Sequence, residues 1–211
     1  MGNLAASSPY IIHRDPDFII TEKPPGLLSV PGRGPDKADC LFSRLAEDFQ
    51  ELRVVHRLDQ PTSGLMVWAL NLPAQRELSR QFEQRQTRKE YQALISGPLP
   101  SPQGEIRLKQ RLDPDNRPLQ VVDPLQGKEG ITQWEVLSGP DEKPVRVRLI
   151  PRTGRTHQLR LHMARSGCPI EGDSLYGDGE PGGRMCLHAC GLAILHPVSG
   201  ELLEFRSPVP F

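Results

Sequence analysis

Twenty-two prolines and 19 glycines, spread through 211 residues, limit what the chain can build. Proline ends helix interiors and central strands, and glycine weakens both, so the regular elements have to be short. The apolar patterns between these breaks bear that out. Tyr10–His13 and Phe18–Thr21 read as strands around an Asp15-Pro16-Asp17 turn. Lys23–Gly32 is too rich in proline for either element and is expected as an extended surface loop. Leu41, Leu45 and Phe49 recur at helical spacing, with Asp39 as cap, which predicts a helix over roughly 39–49. Strand-like runs follow at Arg53–Val55 and Gly64–Leu70. Asn71 can cap a second helix with Pro73 in its first turn and Leu78 and Phe82 on its buried side. Further strands are expected at 91–96, 130–138, 145–150, 185–195 and 201–206; Ile106–Lys109 alternates apolar and basic residues, and the polar segment from there to Arg117 is expected as a mobile loop. Thr156 can cap a third helix running to Ser166, stopped by Gly167 with Pro169 beyond. Strands outnumber helices and most connections are short. The fold class is α+β, a mixed and largely antiparallel sheet with helices packed on it.

Length and charge narrow the function. One domain of ordinary size over 1–211 is the default at this length. Lys+Arg and Asp+Glu are equal at 26 each, which argues against a generally basic, adhesive protein but leaves a local nucleic-acid face open. No stretch approaches twenty apolar residues, so a membrane span is not expected. Met1–Pro9 lacks the charged start and apolar centre of a signal peptide. Cys40, Cys168, Cys186 and Cys190 then read as reduced thiols of a cytoplasmic protein.

Two stretches carry the chemistry. The first is His56-Arg57-Leu58-Asp59-Gln60-Pro61-Thr62-Ser63-Gly64, a tight polar loop between two apolar runs. It holds one carboxylate, with Arg57 two residues before it. Asp59 reads either as the cap of its own turn or as a chemical group placed by rigid flanks. The second is 146–165, with Arg146, Arg148, Arg152, Arg155, Arg160 and Arg165, His157 and His162, and no acidic residue. Such a single-sign concentration in a neutral chain points to a polyanion, and arginine suits planar contacts to phosphate. Arg155, at the start of the third helix, can reach an aspartate on a neighbouring loop. A carboxylate so paired keeps its charge while partly buried, which makes it a poor acid and a competent nucleophile or base. Arg76 and Arg80 lie one turn apart on the second helix, either as a solvated face or as an RNA contact. Cys186, His188 and Cys190 fall on alternate positions of a strand and read as small core residues rather than metal ligands. Trp68 and Trp134 read as core aromatics.

The loop sequence His56-Arg57-Leu58-Asp59, followed by Thr62-Ser63-Gly64, resembles the catalytic-loop signature of the RluA family of RNA pseudouridine synthases. Lys89-Glu90-Tyr91 is similar to that family's tyrosine segment. Thr153–Arg160 resembles its arginine block, with Gly172-Asp173 and Tyr176-Gly177 downstream. Leu187-His188-Ala189 and Lys23-Pro24-Pro25-Gly26-Leu27 match its late strand and its start. These blocks span nearly the whole chain in the family's order. Cys168 departs from the pattern, standing where a histidine is common, and lies outside the catalytic set.

The resemblance implies a single catalytic domain without an S4 domain, a pseudouridine synthase fold around an RNA-binding cleft, and no metal or organic cofactor. Uridine in RNA would be isomerised: the N1–C1′ bond breaks, uracil rotates, and C5 bonds to C1′. Asp59 would be the essential carboxylate, attacking the sugar or removing a ribose proton. Tyr91 would stack on the uracil, and Arg155 would pair with Asp59. Arg57 would fill the gap left by the extruded base, whose removal from the stack costs a few kcal/mol. RNA contacts are expected from His56, Arg76, Arg80, Arg152, His157, Arg160 and Arg165. The expected partner is a stem-loop of 23S rRNA, tRNA or both, including the anticodon stem-loop, bound by a monomer with no protein partner. Two alternatives stay open, a synthase for a different tRNA site and a non-catalytic RNA-binding or folding module.

Overall fold

The computed structural model describes residues 10–32, 34, 37–139 and 142–211, so the reading of Met1–Pro9 lies outside the described residues. Contacts divide the chain into two compact units: Met1–Arg88 with Gly191–Ser207, and Lys89–Cys190 with Pro208–Phe211. No helix among the described residues is long and apolar enough to cross a membrane.

In the first unit, β1 (Ile11–Arg14) pairs antiparallel with β2 (Phe18–Lys23), and β2 pairs antiparallel with β4 (Ser63–Ala69), from Phe18 opposite Ala69 to Lys23 opposite Gly64. The two-residue β3 (Arg53–Val54) also pairs with β4. Alternation then sorts the side chains. Phe18, Ile20, Leu65, Val67 and Ala69 form one buried face, covered by Ala74 and Leu78 of α2 (Leu72–Glu83) and joined by Leu192 and Ile194. On the other face Trp68 is fully buried and its indole N–H donates to Thr21 Oγ1 at 2.8 Å, as a core aromatic should. Leu192 and Ile194 belong to β10 (Leu187–Leu195), whose second half pairs with β11 (Leu202–Arg206).

Asn71 caps α2 as its sequence predicts: its Oδ1 accepts from Ala74 N at 2.9 Å. Its amide also donates to Asp17 Oδ1 at 2.7 Å, tying the helix start to the β1–β2 turn. Gln81, fully buried, exchanges two 2.9 Å bonds with the backbone of Leu195. The first helix, α1 (Leu41–Ala46), is shorter than expected, and its cap is Cys40 rather than Asp39. Cys40 Sγ accepts from Ser43 N, while Asp39 pairs with Arg44 at 2.7 Å.

In the second unit an antiparallel ladder runs from β5 (Arg88–Ile95) through β9 (Val145–Pro151), β8 (Lys128–Val136) and β6 (Gln103–Leu112) to β7 (Gln120–Val122). Ala93, Ile95, Val147 and Leu149 pack with Leu159 and Met163 of α3 (Gln158–Arg165) and with Leu187. The polar segment expected as a mobile loop is ordered further than its composition suggests. β6 continues to Leu112 and folds back as β7, because the backbone ladder is indifferent to the polarity of outward-facing side chains.

The third helix starts without the Thr156 cap expected for it. His157 holds the cap position in the left-handed region, at φ 53°, and makes no side-chain cap bond. The helix ends as predicted at Gly167, whose φ of 77° suits glycine, and Cys168 N closes it onto Met163 O at 3.1 Å.

Candidate active site

Asp59 lies in the first unit, half-buried, on the loop between β3 and β4. That loop is fastened along its backbone to the segment after β2. Ser29, 3% exposed, donates its hydroxyl to Leu58 O at 2.7 Å and accepts from Leu58 N at 3.1 Å. Gln60 O accepts from Gly26 N at 2.9 Å, and the Gln60 amide donates to Gly26 O at 3.0 Å. Thr62 N donates to Asp59 O at 3.1 Å and closes the turn. Gly26, at φ 81°, supplies a backbone shape few other residues adopt.

The segment Lys23–Gly32 is the irregular loop expected, exposed or half-buried along most of its length, but with Lys23 and Ser29 buried and a second use for its backbone. Proline keeps the segment irregular, but its backbone is the dock for the Asp59 loop. Lys23 is 0% exposed, and its ammonium donates to Pro24 O at 2.8 Å, Leu27 O at 2.7 Å and Gln60 O at 3.0 Å. Burial pushes its pKa down to about 7, opposed by the negative charge of Asp59.

The other predicted residues of this unit divide by exposure. Arg57 and Arg76 are exposed. Arg80 is exposed too, and its guanidinium engages Glu77 and Gln84, each at 2.6 Å. His56 is built into the fold: its Nε2 accepts from Val67 N at 3.1 Å and its ring stacks on Phe82 at 4.5 Å. An RNA contact through that nitrogen, as the sequence suggested, is not the use the structure makes of it.

Tyr91 and Arg155 lie in the second unit. Tyr91 stands on β5 opposite Leu149, half-buried against the apolar core. Arg155 sits on the loop between β9 and α3, half-buried, and its Nε donates to Glu129 O at 3.0 Å. A buried neutral amide fixes this loop. Gln158 Oε1 accepts from Arg155 N at 3.0 Å and from the Thr153 hydroxyl at 2.6 Å. Its Nε2 donates to Ile131 O and to Thr132 Oγ1, both at 3.0 Å. These bonds replace the Thr156 cap. Gln110, also buried, donates to Thr156 O at 2.8 Å. Lys89 lies nearby, its Nζ 3.7 Å from where a side chain on Gly154 would begin, and burial lowers its pKa.

The arginine cluster is less of a surface than its composition implies. Arg160 is 2% exposed and gripped bidentately by Asp173, at 2.8 and 2.6 Å, with its guanidinium 5.3 Å from the Tyr176 ring centroid. Burial works against the Asp173 charge, but the Arg160 guanidinium outweighs it and holds the carboxyl below its ordinary range. The expected RNA contact at Arg160 is thus corrected, since its fork is saturated inside the protein. Arg148 meets Glu135 at 2.6 Å on the neighbouring strand. His157 Nδ1 lies 2.9 Å from the Tyr176 hydroxyl. His162 is fully buried, and burial pushes its pKa down to about 4, so it adds no charge at neutral pH. Arg152 and Arg165 remain exposed, with Arg152 held by Gln133 at 2.7 Å.

The sequence reading passed over Lys23, Ser29, Lys89 and Gln158. None of the four carried a local signal of that role: Lys23 follows Glu22 at the end of a strand and reads as an ordinary surface charge.

Metal chemistry finds little footing among the described residues. Asp15, Asp17 and His196 bring their ligand atoms within 4.8 Å of one another. However, His196 Nδ1 accepts from Val198 N and Ser199 N, so the neutral ring carries its proton on Nε2, facing Asp15. That nitrogen has no lone pair to give.

Residues 17–165 match the sequence model of the RNA pseudouridylate synthase family. The chain belongs to that family and is an RNA pseudouridine synthase, an isomerase with the α+β fold of its class. It is 45% identical to the dual-specificity RNA pseudouridine synthase RluA of Pasteurella multocida over 210 residues, covering 97% of this chain and 96% of that one. It is 42% identical to the protein of the same description from Escherichia coli K12, covering 95% and 93%. Among solved structures it resembles human RNA pseudouridylate synthase domain containing 1, with a TM-score of 0.78 and 32% identity over all of this chain and 87% of that one.

Proposed function

We propose that this synthase isomerises uridines in stem-loops of both 23S rRNA and tRNA, the anticodon stem-loop included. It works in the cytoplasm as a monomer without metal or organic cofactor, with 1–211 acting as one catalytic domain. Asp59 supplies the essential carboxylate, Tyr91 the face on which uracil stacks, and Arg155 the guanidinium that pairs with Asp59. The glycosidic N1–C1′ bond breaks, C5–C1′ forms, and the proton lost from C5 is balanced by one gained at N1. Arg57, Arg76, Arg80, Arg152, His157 and Arg165 contact the RNA, and the base is extruded at a cost of a few kcal/mol, offset by stacking and by the inserted side chain.

One observation carries this reading. A half-buried aspartate stands on a loop whose backbone is bonded at Leu58, Gln60 and the Asp59 carbonyl, in a chain 45% identical to a synthase described as dual in specificity. A loop that served only as a turn would not require such bracing.

Pseudouridine mapping of total RNA from cells with and without the gene tests the target. Sites in both RNA classes should vanish together, and loss from one class alone refutes dual use. Asp59→Asn should abolish product while RNA affinity changes by less than roughly threefold, because phosphate contacts dominate binding. Full turnover by that variant removes Asp59 from the mechanism.

A further inference from the structure

We propose that Gln110 is a positioning residue for this reaction: by holding the Thr156 carbonyl from β6 it sets the turn from which Arg155 acts. The proposal rests on the role given to Arg155 above.

His157 takes the cap position of α3 in the left-handed region, and no side-chain cap bond steadies the turn before it. Gln158 holds Arg155 itself. Its Oε1 accepts from Arg155 N at 3.0 Å and its backbone N–H donates to Arg155 O at 3.1 Å, but both bonds come from the helix that begins there. Gln110 reaches the next residue from another element. It stands on β6, 3% exposed, and its amide donates to Thr156 O at 2.8 Å. The amide nitrogen is the part in use, since Gln110 Oε1 is buried and meets no donor among the described residues. A methionine would fill a similar volume without burying an idle oxygen, so packing alone does not account for an amide. Room for the side chain comes from Gly130 on β8, where a Cβ would stand 3.2 Å from Gln110 Oε1 and 2.9 Å from His162 Nε2. Gly130 lies between the two β8 residues that receive the turn. Glu129 O accepts from Arg155 Nε at 3.0 Å, and Ile131 N donates to Thr153 Oγ1 at 2.8 Å.

A second tie runs parallel to the first. Gln120 of β7, opposite Leu112 of β6, donates its backbone N–H to the Tyr176 hydroxyl at 2.8 Å, and that hydroxyl lies 2.9 Å from His157 Nδ1. The β6–β7 hairpin therefore holds two successive residues of the turn, Thr156 by a side-chain amide and His157 through a tyrosine. Gln110 lies outside every block by which the chain resembles its family.

Three measurements test this. In single-turnover assays at saturating RNA, Gln110→Met should slow the chemical step roughly tenfold, less than the roughly hundredfold of an ångström-scale misplacement because the tie through Tyr176 remains. RNA affinity should stay within about threefold, since the buried, neutral Gln110 contacts no phosphate. Wild-type rates from folded Gln110→Met overturn the proposal. Second, in an Arg155→Met background, where the group being positioned is gone, Gln110→Met should slow the step by less than about twofold more. A second loss of about tenfold there means that Gln110 acts on something other than Arg155, and also overturns it. Third, hydrogen exchange in the wild type should show a Gln110 side-chain amide proton protected at least about tenfold over a free glutamine amide. Free exchange of both amide protons overturns the proposal, and this readout needs no variant to fold. Failure of the catalytic reading looks different: Arg155→Met alone would turn over at the wild-type rate.

Discussion

The loop bearing Asp59 and the loop bearing Arg155 each take bonds from a buried side chain, but of opposite kinds. Lys23 offers only donors, and it gathers three carbonyl oxygens. Gln158 offers donors and acceptors, and it serves two of each. A cation used this way depends on holding its proton, and burial brings the Lys23 pKa to about 7. An amide has no proton to lose in the working range. The first loop should therefore respond to pH and the second should not. The sign for Lys23 follows from linkage. Its folded value lies below the unfolded value of 10.5, so between about pH 7 and 10.5 the unfolded chain holds more protons. The stability contributed by this group is full above that window and falls as pH drops through it, while the clamp itself is strongest at the acid end.

The comparison can be broken most severely through the buried ion pair of α3, the helix that follows the second loop. Arg160→Met strands the Asp173 carboxylate in the core and should cost about 3–5 kcal/mol by denaturant unfolding. A loss under about 1 kcal/mol would mean that the pair is solvated and that Arg160 is available to RNA after all. Next is Gln158→Leu, which orphans groups on two segments, the β9–α3 loop and β8. It should cost about 2–4 kcal/mol, and the cost should be the same at pH 6 and pH 9. A strong pH dependence there would erase the contrast with Lys23. The smallest effect is expected from Ser29→Ala, about 1–2 kcal/mol, because both Leu58 backbone groups lose their only side-chain partner among the described residues. If Ser29→Ala instead cost as much as Gln158→Leu, the hydroxyl would be the main brace of the Asp59 loop.

Much of the architecture was readable because strands alternate and helices repeat. Phe18–Thr21, 145–150 and 201–206 landed within two residues of β2, β9 and β11, and Asn71 capped α2 as expected. Misreadings arose where a distant residue took over a local job. Thr156 lost its capping role because Gln158, two residues on, reaches back to Thr153 and Arg155. The arginine cluster looked unpaired because its acids lie elsewhere in the chain, Asp173 thirteen residues past Arg160 and Glu135 on the strand beside Arg148. Lys23 looked like a surface charge among prolines because nothing nearby in sequence indicates that Gln60 will arrive to meet it. The family signature pointed to Asp59, Tyr91 and Arg155 as candidates; its blocks also contain Lys23 and Gln158, but gave no sign of the loops those side chains hold.

The buried amine at position 23 also gives the loop its own reporter. Reagents that acylate primary amines should reach Lys37, Lys109 and Lys128 quickly, all three being exposed, and spare Lys23 until its segment lifts away. The lag before that one amine reacts is then a clock for local opening, readable by peptide mass, on a protein that is otherwise still folded.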